Sequence, residues 1–111
     1  SGELPHIAAI RELKEECGID GSIVGLVGVR ECWIKELPGV FLAYLVEHQD
    51  KNITIDNNEI EDFGWFDMKD FDSLDWISPA MKEIAAEAII GRSRDLINYT
   101  EERESDYLLY L

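Results

Sequence analysis

Basic residues are scarce in this sequence: 10 lysines and arginines stand against 24 aspartates and glutamates in 111 residues, a formal net charge of -14. Such a balance argues against a nucleic-acid partner, because a phosphate backbone is bound by Lys and Arg that displace its counterions. It would also repel a free nucleotide unless cations intervened. Cysteine is nearly absent. Cys17 and Cys32 carry no metal-ligand spacing, and a reduced pair fits a cytoplasmic protein better than a disulfide scaffold. No apolar run approaches the roughly 18 residues of a membrane span. The longest, such as Val40 to Val46, are strand length, so no membrane partner is expected. No signal peptide, internal repeat or linker is legible.

What is present suits a globular chain. The hydrophobic fraction of 46% can bury a core, and the 31% charged fraction is spread without low-complexity stretches. One domain over residues 1–111 is the simplest reading. The acidity has a plain explanation in solubility and a sharper one in carboxylates gathered to hold metal.

Residues 5–17 read as a helix. Pro5 suits a first turn, where its missing N–H has no partner to lose. Ile7, Ile10, Leu13 and Cys17 make one buried stripe, and Gly18 is the expected stop. Ser22 to Arg30 and Cys32 to Ile34 read as strands, Leu37-Pro38-Gly39 as a turn, and Val40 to Glu47 as a strand covered on both faces. Ile53 to Ile55 and Ile60 to Phe66 read as short strands. A second helix begins at Ser78-Pro79 and ends at Gly91, with Met81, Ile84, Ala85, Ala88 and Ile89 buried. Leu96, Ile97 and Tyr99 are placed to extend a helix. The carboxylates from Asp67 to Asp75 read as a solvated turn.

The charged side of the first helix is unusual. Glu12, Glu15 and Glu16 share one face, and Glu12 and Glu16 form a like-charge pair one turn apart. Such a pair costs roughly a few tenths of a kcal/mol in a plain helix. Arg11 is spaced to reach Glu15. From spacing alone, a solvated face and an oxygen cage for a hard cation fit equally.

The string Arg11-Glu12-Leu13-Lys14-Glu15-Glu16-Cys17-Gly18-Ile19 resembles the second half of the Nudix box. Seven residues separate Glu3 from Arg11, the spacing of the isolated glutamate in that motif. The opening glycine of the box would precede Ser1, and so would the family's first strands, so the chain is expected to be N-terminally incomplete.

The resemblance implies an α/β fold, a Nudix-like α/β/α sandwich. Its mixed sheet would carry the 5–17 helix on one face and the 78–91 helix on the other. It implies an enzyme that hydrolyses a nucleoside diphosphate linked to another moiety, using Mg²⁺ or Mn²⁺. Glu12, Glu15 and Glu16 would be metal ligands, with Glu12 or a later glutamate as base. Arg11 would orient Glu15 or Glu3. Nudix enzymes often add a glutamate from a loop ahead of a Trp-containing strand. Glu59, six residues before Trp65, matches that place as metal ligand and catalytic residue, with Glu61 second. The implied partner is a small-molecule nucleoside diphosphate derivative. Family members are commonly dimers, which admits a homodimer without requiring one.

Substrate contacts are less defined. Trp33, Phe41 and Tyr44 are candidates to stack on a base, with core packing the better account. Arg30 and Lys35 are candidates to meet a phosphate, with a solvated strand edge as the alternative. His6, near a helix start, is expected in solvent. Two other functions fit such a fold. One is a non-catalytic nucleotide-binding or regulatory module, which has no need of the full glutamate set. The other is an isoprenoid-diphosphate isomerase using a cysteine and a glutamate, and neither cysteine has a supporting context.

Overall fold

In the computed structural model, the structure describes residues 2–49, 52–58, 60, 62–97 and 107–111. The first helix, α1, is Pro5–Cys17. Proline stands in its first turn, and Gly18 ends it in the left-handed conformation, its N–H bonded to the Lys14 carbonyl. A long hairpin follows, β1 (Gly21–Ile34) and β2 (Leu37–His48). A 3-10 turn, Met68–Ser73, precedes α2 (Pro79–Ile89), and β3 (Arg94–Ile97) and β4 (Leu109–Tyr110) complete the elements. No helix among the described residues is long and apolar enough to cross a membrane.

The strands form one sheet in the order β2-β1-β3-β4. Every pairing among the described residues is antiparallel, which corrects the mixed sheet expected from the resemblance. The reason is topological. The strands that point the same way, β2 with β3 and β1 with β4, are each kept apart by an antiparallel strand. Two bulges, between Ile23 and Gly25 and between Leu26 and Gly28, bend β1.

The cross-strand register assigns the two faces. Ile23 pairs with Val46, Leu26 with Tyr44 and Val29 with Leu42, which puts these side chains on one face. Gly28 pairs with Ala43 and Arg30 with Phe41 on the other. Gly21 lacks the Cβ that would collide with Val46 and meet Leu13 of α1 at 3.2 Å, so α1 can settle on the first face. On the second, Ile84 of α2 lies 3.6 Å from the Cβ position of Gly28, and Arg30 reaches Met81. One helix therefore covers each face.

Several local expectations change. The hairpin turn is Lys35-Glu36, with φ of 48° and 69°, and not Leu37-Pro38-Gly39. A two-residue turn with both residues left-handed matches the twist of its strands. Pro38 lies in β2, opposite Trp33, and an edge strand tolerates a missing donor. β1 runs without a break where two strands were expected. Ile53–Ile55 forms no ladder strand, and neither do the described residues of 60–66. Leu96 and Ile97 belong to β3 and not to a helix, while Tyr99 lies outside the described residues. The 67–75 segment is organised by its own side chains. Asp67 accepts from the Lys69 N–H, Asp70 accepts from the Asp67 N–H, and Asp72 pairs with Lys82 of α2 at 2.6 Å.

Little of this surface is covered. Among the described residues, Ile19 and Phe71 alone rank as buried hydrophobic residues. Trp76 meets Phe71 edge-on and donates its Nε1–H to the Phe71 carbonyl. The chain exposes 8992 Å², against roughly 6,200 Å² for a compact monomer of this mass. A cleft of about 430 Å³ runs between α1, β1 and β3, walled by Ile7, Ile10, Ile23 and Leu96. His6 lines this cleft and is half-buried, correcting its expected place in solvent.

Candidate functional site

No residue of the apolar stripe of α1 is buried, and the helix presents Glu12 and Glu15 to solvent with Glu16 half-buried at its end. Arg11 organises this side. Its Nε and Nη2 donate to one Glu3 oxygen at 2.9 and 2.6 Å, and its Nη1 donates to Glu15 at 3.1 Å. Glu12 lies 3.9 Å from the same guanidinium. The hydrogen bond from Arg11 holds the Glu3 carboxyl below the ordinary glutamate range. In turn Glu3 first, and Glu15 second, hold Arg11 more firmly protonated than usual.

Glu16 differs from its neighbours. It is half-buried, and its carboxylate makes no ion pair or hydrogen bond among the described residues. Its backbone carbonyl is occupied: the Asp56 N–H donates to it at 2.8 Å. One residue on, the Cys17 carbonyl accepts from the Thr54 N–H at 2.9 Å. Gly18 makes room for this contact. A Cβ there would lie 3.2 Å from the Thr54 Cβ, on a backbone with φ of +70°. Lys14, on the same turn, pairs outward with Asp20 at 3.1 Å.

The structure thus gathers Glu3, Arg11 and Glu15 into one bonded group, with Glu12 at its edge. It places Glu16 beside the segment that leads into the acidic loop. Glu59 and Glu61 lie outside the described residues. Among those described, no three His, Cys, Asp or Glu side chains converge into a ready metal cage. The donor chemistry itself suits a hard cation, being all carboxylate oxygen. Of these oxygens, those of Glu16 are uncommitted, and one of Glu15's is tied to Arg11.

The candidate substrate contacts scatter. Trp33 stands 77% exposed near the hairpin tip, and Lys35 is exposed in the turn. Arg30 stacks over Phe41 at 4.9 Å on the α2 face, with its Nε buried and unpartnered. Tyr44 packs against Tyr110 at 5.8 Å, and burial raises the pKa of both phenols. Sequence reasoning missed the Thr54–Asp56 contact with α1. Its one signal was the Ile53-Thr54-Ile55 alternation, which marks extended backbone without naming its partner.

A NUDIX domain family model matches residues 1–88. No curated protein and no solved structure matches the chain.

Proposed function

Because this chain belongs to the NUDIX domain family, we propose that it hydrolyses a nucleoside diphosphate linked to another moiety, with Mg²⁺ or Mn²⁺ as cofactor. Water adds to one phosphorus, the bridging oxygen leaves, and the products are a nucleoside monophosphate and a phosphorylated moiety. The observation that carries this reading is the outward carboxylate face of α1, bracketed by Arg11. Members of the family are typically pyrophosphohydrolases that use a divalent metal.

Glu12, Glu15 and Glu16 would hold the cation. When bound, such an ion neutralises the diphosphate and activates water for attack. Arg11 fixes the Glu15 carboxylate by one oxygen and leaves the other free to ligate. Glu12 or Glu59 takes the proton from the attacking water as base. The net charge of -14 favours a small anion carried in with a cation over a nucleic acid. A homodimer remains part of the proposal only through the habit of the family.

One observation favours a second reading. The described carboxylates do not converge, as a non-catalytic nucleotide-binding module would allow. Incubating the chain with a panel of nucleoside diphosphate derivatives, with and without Mg²⁺, separates the two. Metal-dependent release of a nucleoside monophosphate is the expected result. Binding of a panel member without turnover would establish the module.

A further inference from the structure

We propose that the outer half of the β1–β2 hairpin is a docking surface for a second copy of this chain, which closes a twofold dimer through the arm that carries Trp33.

Charge selects the surface. Residues 21–46 contain two bases, Arg30 and Lys35, and two acids, Glu31 and Glu36. The net charge of -14 therefore lies entirely outside this span. Two copies that met by their acidic faces would repel, and a basic partner would be drawn to those faces and not to the arm. The neutral arm is where one copy can approach another without that repulsion.

The arm is also uncovered. α1 meets the hairpin at Gly21, and α2 meets it at Gly28 and Arg30. Around and past this point Val29, Trp33, Ile34, Leu37 and Val40 all stand exposed. Trp33 pairs with Pro38, Glu31 with Val40 and Val29 with Leu42, so these six side chains share the α1 face. Glu31, Trp33, Pro38 and Val40 line a hollow of about 350 Å³.

Such an arm is self-complementary. Laid antiparallel across a twofold axis, each Trp33 enters the hollow of the other copy, and each Lys35, in the turn, comes near the other copy's Glu31. A Trp enclosed at the centre of an interface is the kind of residue that carries most of its affinity. The area suffices. A standard interface covers roughly 800 Å² of each partner. The chain exposes 8992 Å² against roughly 6,200 Å² for a compact monomer, an excess several times that requirement.

Ile77 provides the contrast. It is 97% exposed, more than any apolar side chain of the arm, and it lies just ahead of α2. Unspecific hydrophobic association would draw on Ile77 as much as on Trp33. A dimer built on the arm draws on Trp33 alone.

The test is sedimentation equilibrium of the full chain over a range of concentrations, with Trp33→Lys and Ile77→Lys beside the wild type. The wild type should reach one species of twice the chain mass and none larger. Trp33→Lys should weaken the dimer about tenfold or more, and Ile77→Lys should leave it within about threefold of wild type. Should Trp33→Lys fail to fold, the charges of the arm decide in its place. Lys35→Glu alone should lower the dimer fraction, and adding Glu31→Lys should recover it; no recovery overturns the arm dimer. So does a wild type that is monomeric at millimolar concentration, or one whose assemblies grow without a fixed size. A folded Trp33→Lys that dimerises like wild type, or an Ile77→Lys that dissociates as far as Trp33→Lys, overturns it equally.

Discussion

Arg11 donates two hydrogen bonds to a single oxygen of Glu3, eight residues before it, and a third to Glu15, four residues after it. One guanidinium thereby ties the segment preceding α1 to its carboxylate face.

That tie has a pH signature. Glu3 ionises at lower pH in the folded chain than it would unfolded, because its ionised form is bonded to Arg11. The contribution to stability is therefore present above the ordinary glutamate range and is lost as pH falls through the lowered folded value. Arg11→Gln should melt below wild type near neutral pH, and the gap should narrow as pH falls below the ordinary glutamate range. Thermal melts of both proteins across this range check it. A gap of constant size would show that Arg11 acts through packing and not through Glu3.

The like-charge pair of Glu12 and Glu16 predicts an opposite effect on stability. Neutralising either glutamate relieves repulsion, and at Glu16 it also removes a negative charge from the negative end of the helix dipole. Without metal, Glu12→Gln and Glu16→Gln should melt at or slightly above the wild-type temperature. Scanning calorimetry in chelator is the measurement. A clear drop for either would mean that its carboxylate supports the fold directly.

The uncovered apolar surface predicts association. Val29, Trp33 and Val40 stand 57%, 77% and 64% exposed on the α1 face of the hairpin. The chain should bind a hydrophobic dye and associate, and Trp33→Lys with Val40→Thr should reduce both. Light scattering against concentration tests this. A monodisperse monomer with a sharp melt would contradict it.

Both helices were legible because their signals are local: Pro5 and Gly18 bracket one, and Ser78-Pro79 opens the other. The hairpin was legible too, but its turn was not. Pro38-Gly39 is the stronger local signal, whereas Lys35-Glu36 is fixed by the pairing of Ile34 with Leu37. Register is a property of two strands at once. The group of Glu3, Arg11 and Glu15 could be read from helical spacing and the motif. The contact of Thr54 and Asp56 with the end of α1 could not, because it joins Thr54 to Cys17 and Asp56 to Glu16 through backbone atoms whose bonding no side-chain type announces.

The most direct measurement is Mg²⁺-dependent turnover of a nucleoside diphosphate derivative by wild type, Glu16→Gln and Glu59→Gln, each paired with its metal-free melting temperature. Loss of a catalytic ligand or base should lower turnover about 10² to 10⁴-fold. A surface carboxylate should change stability by less than about 0.5 kcal/mol when neutralised. The account predicts that loss for Glu16→Gln, with the melting temperature kept or raised. Full Mg²⁺-dependent turnover in Glu16→Gln, at wild-type stability, would contradict it.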